Sequence, residues 1–295
     1  GEIDYLSKII EPNVSVITNI NYAHAKNFRN IKNIALAKSE IIQNTKAKGY
    51  IVLNADDNFF KLHKSIALKK KLNVISFGIN DRKSNIRLKK INRRGNYYLM
   101  NIKENNNKKS FLLLNNFQSN IYNILSTLAV MSIFLNISKL KKDIFLNFQT
   151  PKGRGDISSI KIANKKINLI DESYNSNPLS LKSAIQNLEK MNSKKSKKYL
   201  LVGDMLELGK YSKKLHKSIA PIINKTKIHK VFVKGKDVKF MFEKLSKSKK
   251  GRILHSKSQI LEFIKKDLSN NDYLMIKASN ATGFNKIVKD LKGLK

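Results

Sequence analysis

The sequence predicts an α/β protein whose two halves each carry their own sheet. Three observations predict it. Short Val/Ile/Leu runs alternate with stretches of helical spacing from one end to the other. Gly and Pro concentrate at Gln149-Thr150-Pro151-Lys152-Gly153-Arg154-Gly155, which sets a domain boundary near Thr150. The chain has 295 residues, 41% hydrophobic and 27% charged, which is enough apolar material for two separate cores.

In chain order, residues 13–20 form a Val/Ile-rich strand ending in polar residues, and residues 30–43 follow helical spacing through Ile31, Ile34, Ala35, Ile41 and Ile42. Residues 50–53 read as a buried strand, 57–70 as a helix and 72–77 as a third strand, the rhythm of a mostly parallel sheet. The pattern then changes: residues 85–102 alternate around Arg94-Gly95-Asn96, a hairpin turn, with 110–114 as a pairing strand. Two helices are expected at 120–134 and 138–148. Beyond the boundary come strand 167–171, a helix from Pro178, strand 199–202, a helix around Leu215, strand 230–233, helix 238–245, a strand near Ile253, helix 258–268, strand 273–276 and a final helix. This repetition is that of a doubly wound domain.

Cys 0 excludes disulfides, thiolate catalysis and cysteine metal sites. The longest apolar stretch, residues 121–137, is broken by Asn123, Ser126, Thr127, Ser132 and Asn136, so a buried helix is expected rather than a membrane span. No signal-peptide pattern opens the chain, and a cytoplasmic location is the expectation. The net charge of +38 would attract phosphates and nucleic acid strongly. Yet the lysines are spread over most of the length among Asn and Ile, as when codon composition drifts toward A and T. The runs 194–198 and 247–250 read as solvated loops.

Open α/β sheets bind ligands at the carboxyl ends of their strands, which selects the polar residues placed there. Thr18, Asn19 and His24 follow the first strand. Asn54, Asp56 and Asp57 follow the second and precede a helix, so Asp56 or Asp57 is its N-cap by default. Asn120 and Asn123 lie one helical turn apart and share a face, or serve as caps. Arg154, in Lys152-Gly153-Arg154 at the junction, is either an exposed linker residue or a bidentate phosphate ligand. Asp171 ends a strand, where an acid suits a ribose hydroxyl, and Pro178 suits the first turn of the helix after it. The loop Gly203-Asp204-Met205-Leu206-Glu207-Leu208-Gly209 holds two carboxylates between glycines, with His216 beyond it, and Lys277-Ala278-Ser279-Asn280 follows the last strand.

In order and spacing these segments, with Lys38-Ser39-Glu40-Ile41 and Asp171-Glu172-Ser173-Tyr174-Asn175-Ser176-Asn177-Pro178, resemble the bacterial Mur ligases. The resemblance implies part of a central ATPase-type parallel-sheet domain over residues 1–150 and the carboxy-terminal Rossmann-like domain over 151–295. It implies ATP-dependent amide formation, with ATP phosphorylating the terminal carboxylate of UDP-N-acetylmuramoyl-tripeptide and the amine of D-alanyl-D-alanine attacking the acyl phosphate. His24 and Lys38 are implied as the catalytic metal ligands for Mg²⁺, Lys38 in carbamylated form, since carbamylation converts an ammonium into an anionic oxygen ligand. Asn54, Asn120, Asn123, Arg154, Asp171 and Glu172 are implied to hold ATP. Tyr174, Asn175, Asn177, Asp204, Glu207, Lys277 and Ser279 are implied to hold the substrates.

The chain departs from the family pattern at Phe117 and Ser119, where Gly and His are usual, at Asp171-Glu172, where two Asp are usual, and at Asn280, where Arg is usual. No Gly-x-x-x-x-Gly-Lys-Ser/Thr phosphate loop occurs in the 295 residues. Such a loop and the amino-terminal domain precede these segments in the family, so the chain alone is expected to be an inactive, monomeric fragment. The alternatives are a sister Mur ligase, a folylpolyglutamate synthase, and a non-catalytic basic nucleic-acid binder; no specific nucleic acid is expected as partner.

Overall fold

The computed structural model describes residues 1–105, 107–148, 151–191 and 196–293. Thr150, at the expected boundary, and Lys194 and Lys195 of the first basic run lie outside them. The chain divides into one compact unit of residues 1–20 and 28–148 and a second of 21–27 and 149–295.

The first unit is built on a sheet of order β1-β2-β3-β4-β5-β6: Val14–Ile17, Tyr50–Asn54, Asn73–Gly78, Ile86–Arg94, Tyr97–Glu104 and Asn107–Leu113. β1 to β4 run parallel, and β4 to β6 form an antiparallel meander. Gly95, at φ 58°, closes the β4–β5 hairpin in the left-handed conformation that glycine adopts without penalty. Helix α1 (Glu2–Ile10) lies against α2 (Ile31–Gln43), which Asn30 caps by accepting from the Asn33 amide. α3 (Phe60–Lys69) packs on β2 and β3. α4 (Gln118–Phe134) buries Ile121, Leu125, Leu128 and Ala129 against Val52, Phe77, Ile86, Met100, Ile102, Phe111 and Leu113.

Two expectations fail in this unit. Residues 138–148 are not a helix but a 3-10 turn at Ile137–Lys139 followed by successive turns. There the Leu112 amide of edge strand β6 donates to the Lys142 carbonyl and Phe145 packs edge-on against Phe111, so tertiary contacts outbid helical spacing. Nor does Asp56 or Asp57 cap α3, whose N-cap position is Phe59 with no side-chain hydrogen bond.

The second unit contains a sheet of order β11-β10-β9-β12-β8-β7, with β7 (Asp156–Ile162) the one antiparallel member among the described residues. β8 is Lys165–Glu172, β9 Lys198–Gly203, β10 Lys230–Lys234, β11 Lys250–Ile253 and β12 Tyr273–Lys277. Side chains alternate between faces along each strand. Tyr199 and Leu201 enter a core with α8 (Lys257–Asp267) and α9 (Phe284–Gly293), whereas Leu200 and Val202 enter a core with α5 (Pro178–Lys190), α6 (Ser212–Asn224) and α7 (Lys239–Glu243). Helices on both faces make the domain doubly wound, and β12 inserts between β8 and β9, so the strand order reverses at their carboxyl ends.

The two basic runs are less solvated than expected. Lys198 is buried at the start of β9, donating to the Glu189 carbonyl, and burial lowers its pKa. Lys249 donates to the carbonyls of Thr226 and Ile228. Among the described residues, no helix is long and apolar enough to cross a membrane.

Candidate functional site

In the second unit the polar residues selected from sequence converge on the carboxyl ends of β8, β9 and β12. Lys277, only 1% exposed, ends β12 in register with Glu172 at the end of β8. Its ammonium donates to Glu172 Oε2 and to the Asn175 carbonyl, each at 3.0 Å. Burial lowers its pKa, the Glu172 carboxylate opposes that shift, and the Arg154 cation adds to it.

Asp171 and Glu172 point to opposite faces of β8 and have different partners. Asp171 accepts from the Ser173 amide and hydroxyl through Oδ1, while its Oδ2 lies 3.0 Å from Lys292 Nζ. Lys292 also reaches Asp156 Oδ2 at 2.8 Å. Burial pulls the Lys292 pKa down, but the hydrogen bonds to Asp156 and Asp171 outweigh it and leave it raised.

The turn before β7 is fastened to the β8–α5 loop. The Tyr174 amide donates to the Gly153 carbonyl, the Gly153 amide to Asp156 Oδ1 and the Gly155 amide to the Asp171 carbonyl. Gly153 has φ 77°, and a Cβ there would lie 2.9 Å from Tyr174 Cβ, so the close approach needs glycine. Arg154 is exposed and stacks on the Tyr174 ring, its guanidinium carbon 4.4 Å from the centroid. Asn177 caps α5 in a reciprocal box with Ser180, with Pro178 in the first turn, and its Oδ1 also accepts from Asn21 Nδ2. Asn175 is exposed and uses its side-chain oxygen on the Ser176 amide.

The loop of residues 203–209 is held from three sides. Ser279 Oγ accepts from the Leu206 amide and donates to the Ser176 carbonyl, while the Ser279 amide donates to the Asp204 carbonyl. His216, fully buried, accepts the Met205 amide at Nε2 and donates from Nδ1 to the Ser212 carbonyl. Desolvation lowers its pKa, keeping the ring neutral. The Asp204 carboxylate accepts three backbone amides, from Lys236, Asp237 and Val238. Glu207 and His24 both have positive φ, at 62° and 56°, and pair side chain to side chain, while the Lys26 amide donates to the Glu207 carbonyl.

In the first unit, the ends of β1, β2 and β3 are tied together by the turn of residues 54–57. Asn54 is buried, donating to the Thr18 carbonyl and accepting the Asp56 amide. Asp57 accepts the amides of Ile20 and Phe59. Asp56 accepts the amides of Ile79, Asn80 and Asp81 and the Tyr122 hydroxyl at 2.9 Å. These two acids therefore lock turns instead of starting a helix. Asn120 donates to Asn115, whereas Asn123 is exposed on α4. Lys38 is half-buried on α2. Sequence reasoning missed Tyr122, Asp156 and Lys292, because nothing in a bare sequence pairs Tyr122 with Asp56 or brings Lys292 back to Asp171.

The chain's own donors do not form a closed set for a magnesium ion. His24 is engaged by Glu207, an unmodified lysine side chain offers no oxygen ligand, and no cluster of three or more His, Asp or Glu suited to a metal occurs among the described residues.

Residues 1–131 match the Mur ligase middle domain, and residues 158–280 match the Mur ligase, glutamate ligase domain. The chain is 32% identical over 299 residues to a UDP-N-acetylmuramoyl-tripeptide–D-alanyl-D-alanine ligase from Buchnera aphidicola subsp. Acyrthosiphon pisum, covering 99% of this chain and 62% of the relative. It is 29% identical over 300 residues to the ligase of the same name from Bacillus subtilis, again covering 99% of this chain and 62% of the relative. Among solved structures, MurF from Acinetobacter baumannii superposes with a TM-score of 0.83 at 22% identity, over 99% of this chain and 62% of that one. The MurF ligase from Thermotoga maritima in complex with ADP gives a TM-score of 0.83 at 22% identity, over 99% and 64%. The chain thus spans about 62% of the length of these curated relatives. Two domain matches that account for both compact units, with relatives of one name along the whole chain, show that it belongs to the Mur ligase family.

Proposed function

We propose that this chain is the part of an ATP-dependent ligase, following the phosphate loop, that joins D-alanyl-D-alanine to UDP-N-acetylmuramoyl-tripeptide in peptidoglycan precursor synthesis. The observation that carries this reading is the 203–209 loop, fixed against Ser279, His216 and the Lys277–Glu172 pair at the strand-order reversal of the second unit. Such a fixed carboxyl-edge loop suits a reaction whose catalysis is mainly positioning and charge neutralisation.

In this reading residues 1–150 belong to the central ATP-binding domain and 151–295 form the carboxy-terminal domain. Asn123 and Arg154, both exposed, are the residues free to meet ATP directly. Asn54, Asn120, Asp171 and Glu172 act on the nucleotide by fixing the loops around it. Tyr174, Asn175, Asn177, Asp204, Glu207, Lys277 and Ser279 shape the substrate end, Asp204 and Asn177 through the backbone amides they hold. His24 and a carbamylated Lys38 would be the magnesium ligands that the family resemblance implies, where the ion would neutralise phosphate charge; the unmodified side chains do not complete such a site by themselves.

The test is a chimera in which the leading part of the Bacillus subtilis relative is joined ahead of this chain. With ATP, magnesium, D-alanyl-D-alanine and the UDP-linked tripeptide, the chimera yields the UDP-linked pentapeptide by mass spectrometry, while the chain alone releases no phosphate. A folded chimera that makes no pentapeptide, or a chain that turns over unaided, contradicts the reading.

A further inference from the structure

The antiparallel meander of the first unit has an unusual face. Strand register places Arg87 opposite Lys103 and Lys103 opposite Lys108, so three cations stand side by side across β4, β5 and β6. Directly opposed residues have Cβ atoms about 5 Å apart, and like charges there are mutually destabilising. The same face continues with Lys90, opposite Asn101, and Arg94, opposite Tyr97. The other face carries Leu88, Met100, Ile102 and Phe111 toward α4, together with Glu104, the only acid in the three strands. None of Arg87, Lys90, Arg94, Lys103 and Lys108 is in an ion pair among the described residues.

We propose that this face binds single-stranded nucleic acid without sequence preference. The five cations track the phosphates, and Tyr97, 42% exposed beside Arg94, stacks a base. Arg87, Lys103 and Lys108 form a row across the three strands, and Arg87, Lys90 and Arg94 a line along β4 in which Lys90 and Arg94 stand about 13 Å apart, so the cations cover an extended surface suited to a flexible backbone. An acidic membrane fits less well, because Leu99 and Leu112 of this face are only half-exposed between the cations and, within the three strands, Tyr97 is the one exposed apolar residue of the face. General surface charge, large as it is, does not account for three directly opposed cations on a face where these three strands place no acid. The inference is independent of the ligase reading.

The test is fluorescence anisotropy of the whole chain with a labelled oligothymidylate of about 16 nucleotides, at ionic strengths of about 50 and 200 mM. The variant R87Q/K103Q/K108Q is compared with K161Q/K225Q/K247Q, which removes the same charge from exposed positions of the second unit. The face variant is expected to bind at least tenfold more weakly, with a log–log salt slope about 2 lower, near 0.7 for each lost phosphate contact. Tyr97→Ala weakens binding about fivefold or more, and the control variant stays within about twofold of the unmodified chain. Far-ultraviolet circular dichroism verifies that each variant is folded. Equal losses in both triple variants would overturn the proposal in favour of diffuse charge. Loss of binding to phosphatidylserine vesicles with oligonucleotide binding intact would overturn it in favour of a membrane face.

Discussion

Lys277 and Glu172 face each other in register on adjacent parallel strands, the ammonium 1% exposed and 3.0 Å from the carboxylate. Breaking a buried pair from one side leaves an uncompensated charge, so Lys277→Met is expected to cost about 3 kcal/mol. The double variant K277M/E172Q recovers most of that loss. Urea unfolding of the three proteins checks both statements, and a cost below about 1 kcal/mol for K277M alone would place the pair among weak surface contacts.

His216 gives the second unit a pH dependence with a definite sign. Its folded pKa lies below the ordinary value near 6.5, because burial disfavours the charged ring. Protonation would also place a proton on Nε2, which accepts the Met205 amide. Below about pH 6.5 the unfolded chain binds a proton that the folded chain does not, so stability falls with acid until the folded pKa is reached. Thermal unfolding between pH 7.5 and 5.5, compared with His216→Gln, is expected to show a shallower dependence in the variant.

Asp56 satisfies three backbone amides and a tyrosine hydroxyl. Asp56→Ala is expected to destabilise the first unit by about 3 kcal/mol, and Tyr122→Phe by about 1 kcal/mol. Hydrogen exchange of the Ile79 and Asp81 amides accelerates in D56A and changes less in Y122F.

Gly153→Ala meets both a φ of 77° and the Tyr174 Cβ. A cost of about 2 kcal/mol is expected, since strain and contact add, with loosening of the Arg154–Tyr174 stack visible as a shift of the Tyr174 ring resonances. Retention of native stability would show that this loop relaxes freely.

Most of the fold was legible because burial imposes its period on sequence. Leu200 and Val202 face one core and Tyr199 and Leu201 the other, so β9 reads as a continuous apolar run. Strand β7 was not anticipated: Asp156–Ile162 is an edge strand with four exposed or half-exposed polar positions, and it follows a Gly-rich turn that masks its start. The expected helix at 138–148 failed for the opposite reason, a helical apolar spacing overridden by contacts to β6. Candidates such as Asn54, Asp171 and Lys277 are legible as polar groups at strand ends, whereas Lys38, on α2, is picked out by the family resemblance alone. Their wiring was not, because the partners of Asp171 and Lys277 lie 121 and 105 residues away in the chain. A local turn rule makes Asp56 or Asp57 a helix cap, because it says nothing of residues 79–81, whose amides Asp56 accepts.

The most direct measurement is steady-state kinetics of the Bacillus subtilis chimera carrying Glu207→Gln or Ser279→Ala. If the 203–209 loop shapes the D-alanyl-D-alanine end of the site, the KM for D-alanyl-D-alanine rises about tenfold or more while the KM for ATP is unchanged. An unchanged KM for the dipeptide in both folded variants, or an equal rise for ATP, would contradict the assignment of this loop to the substrate.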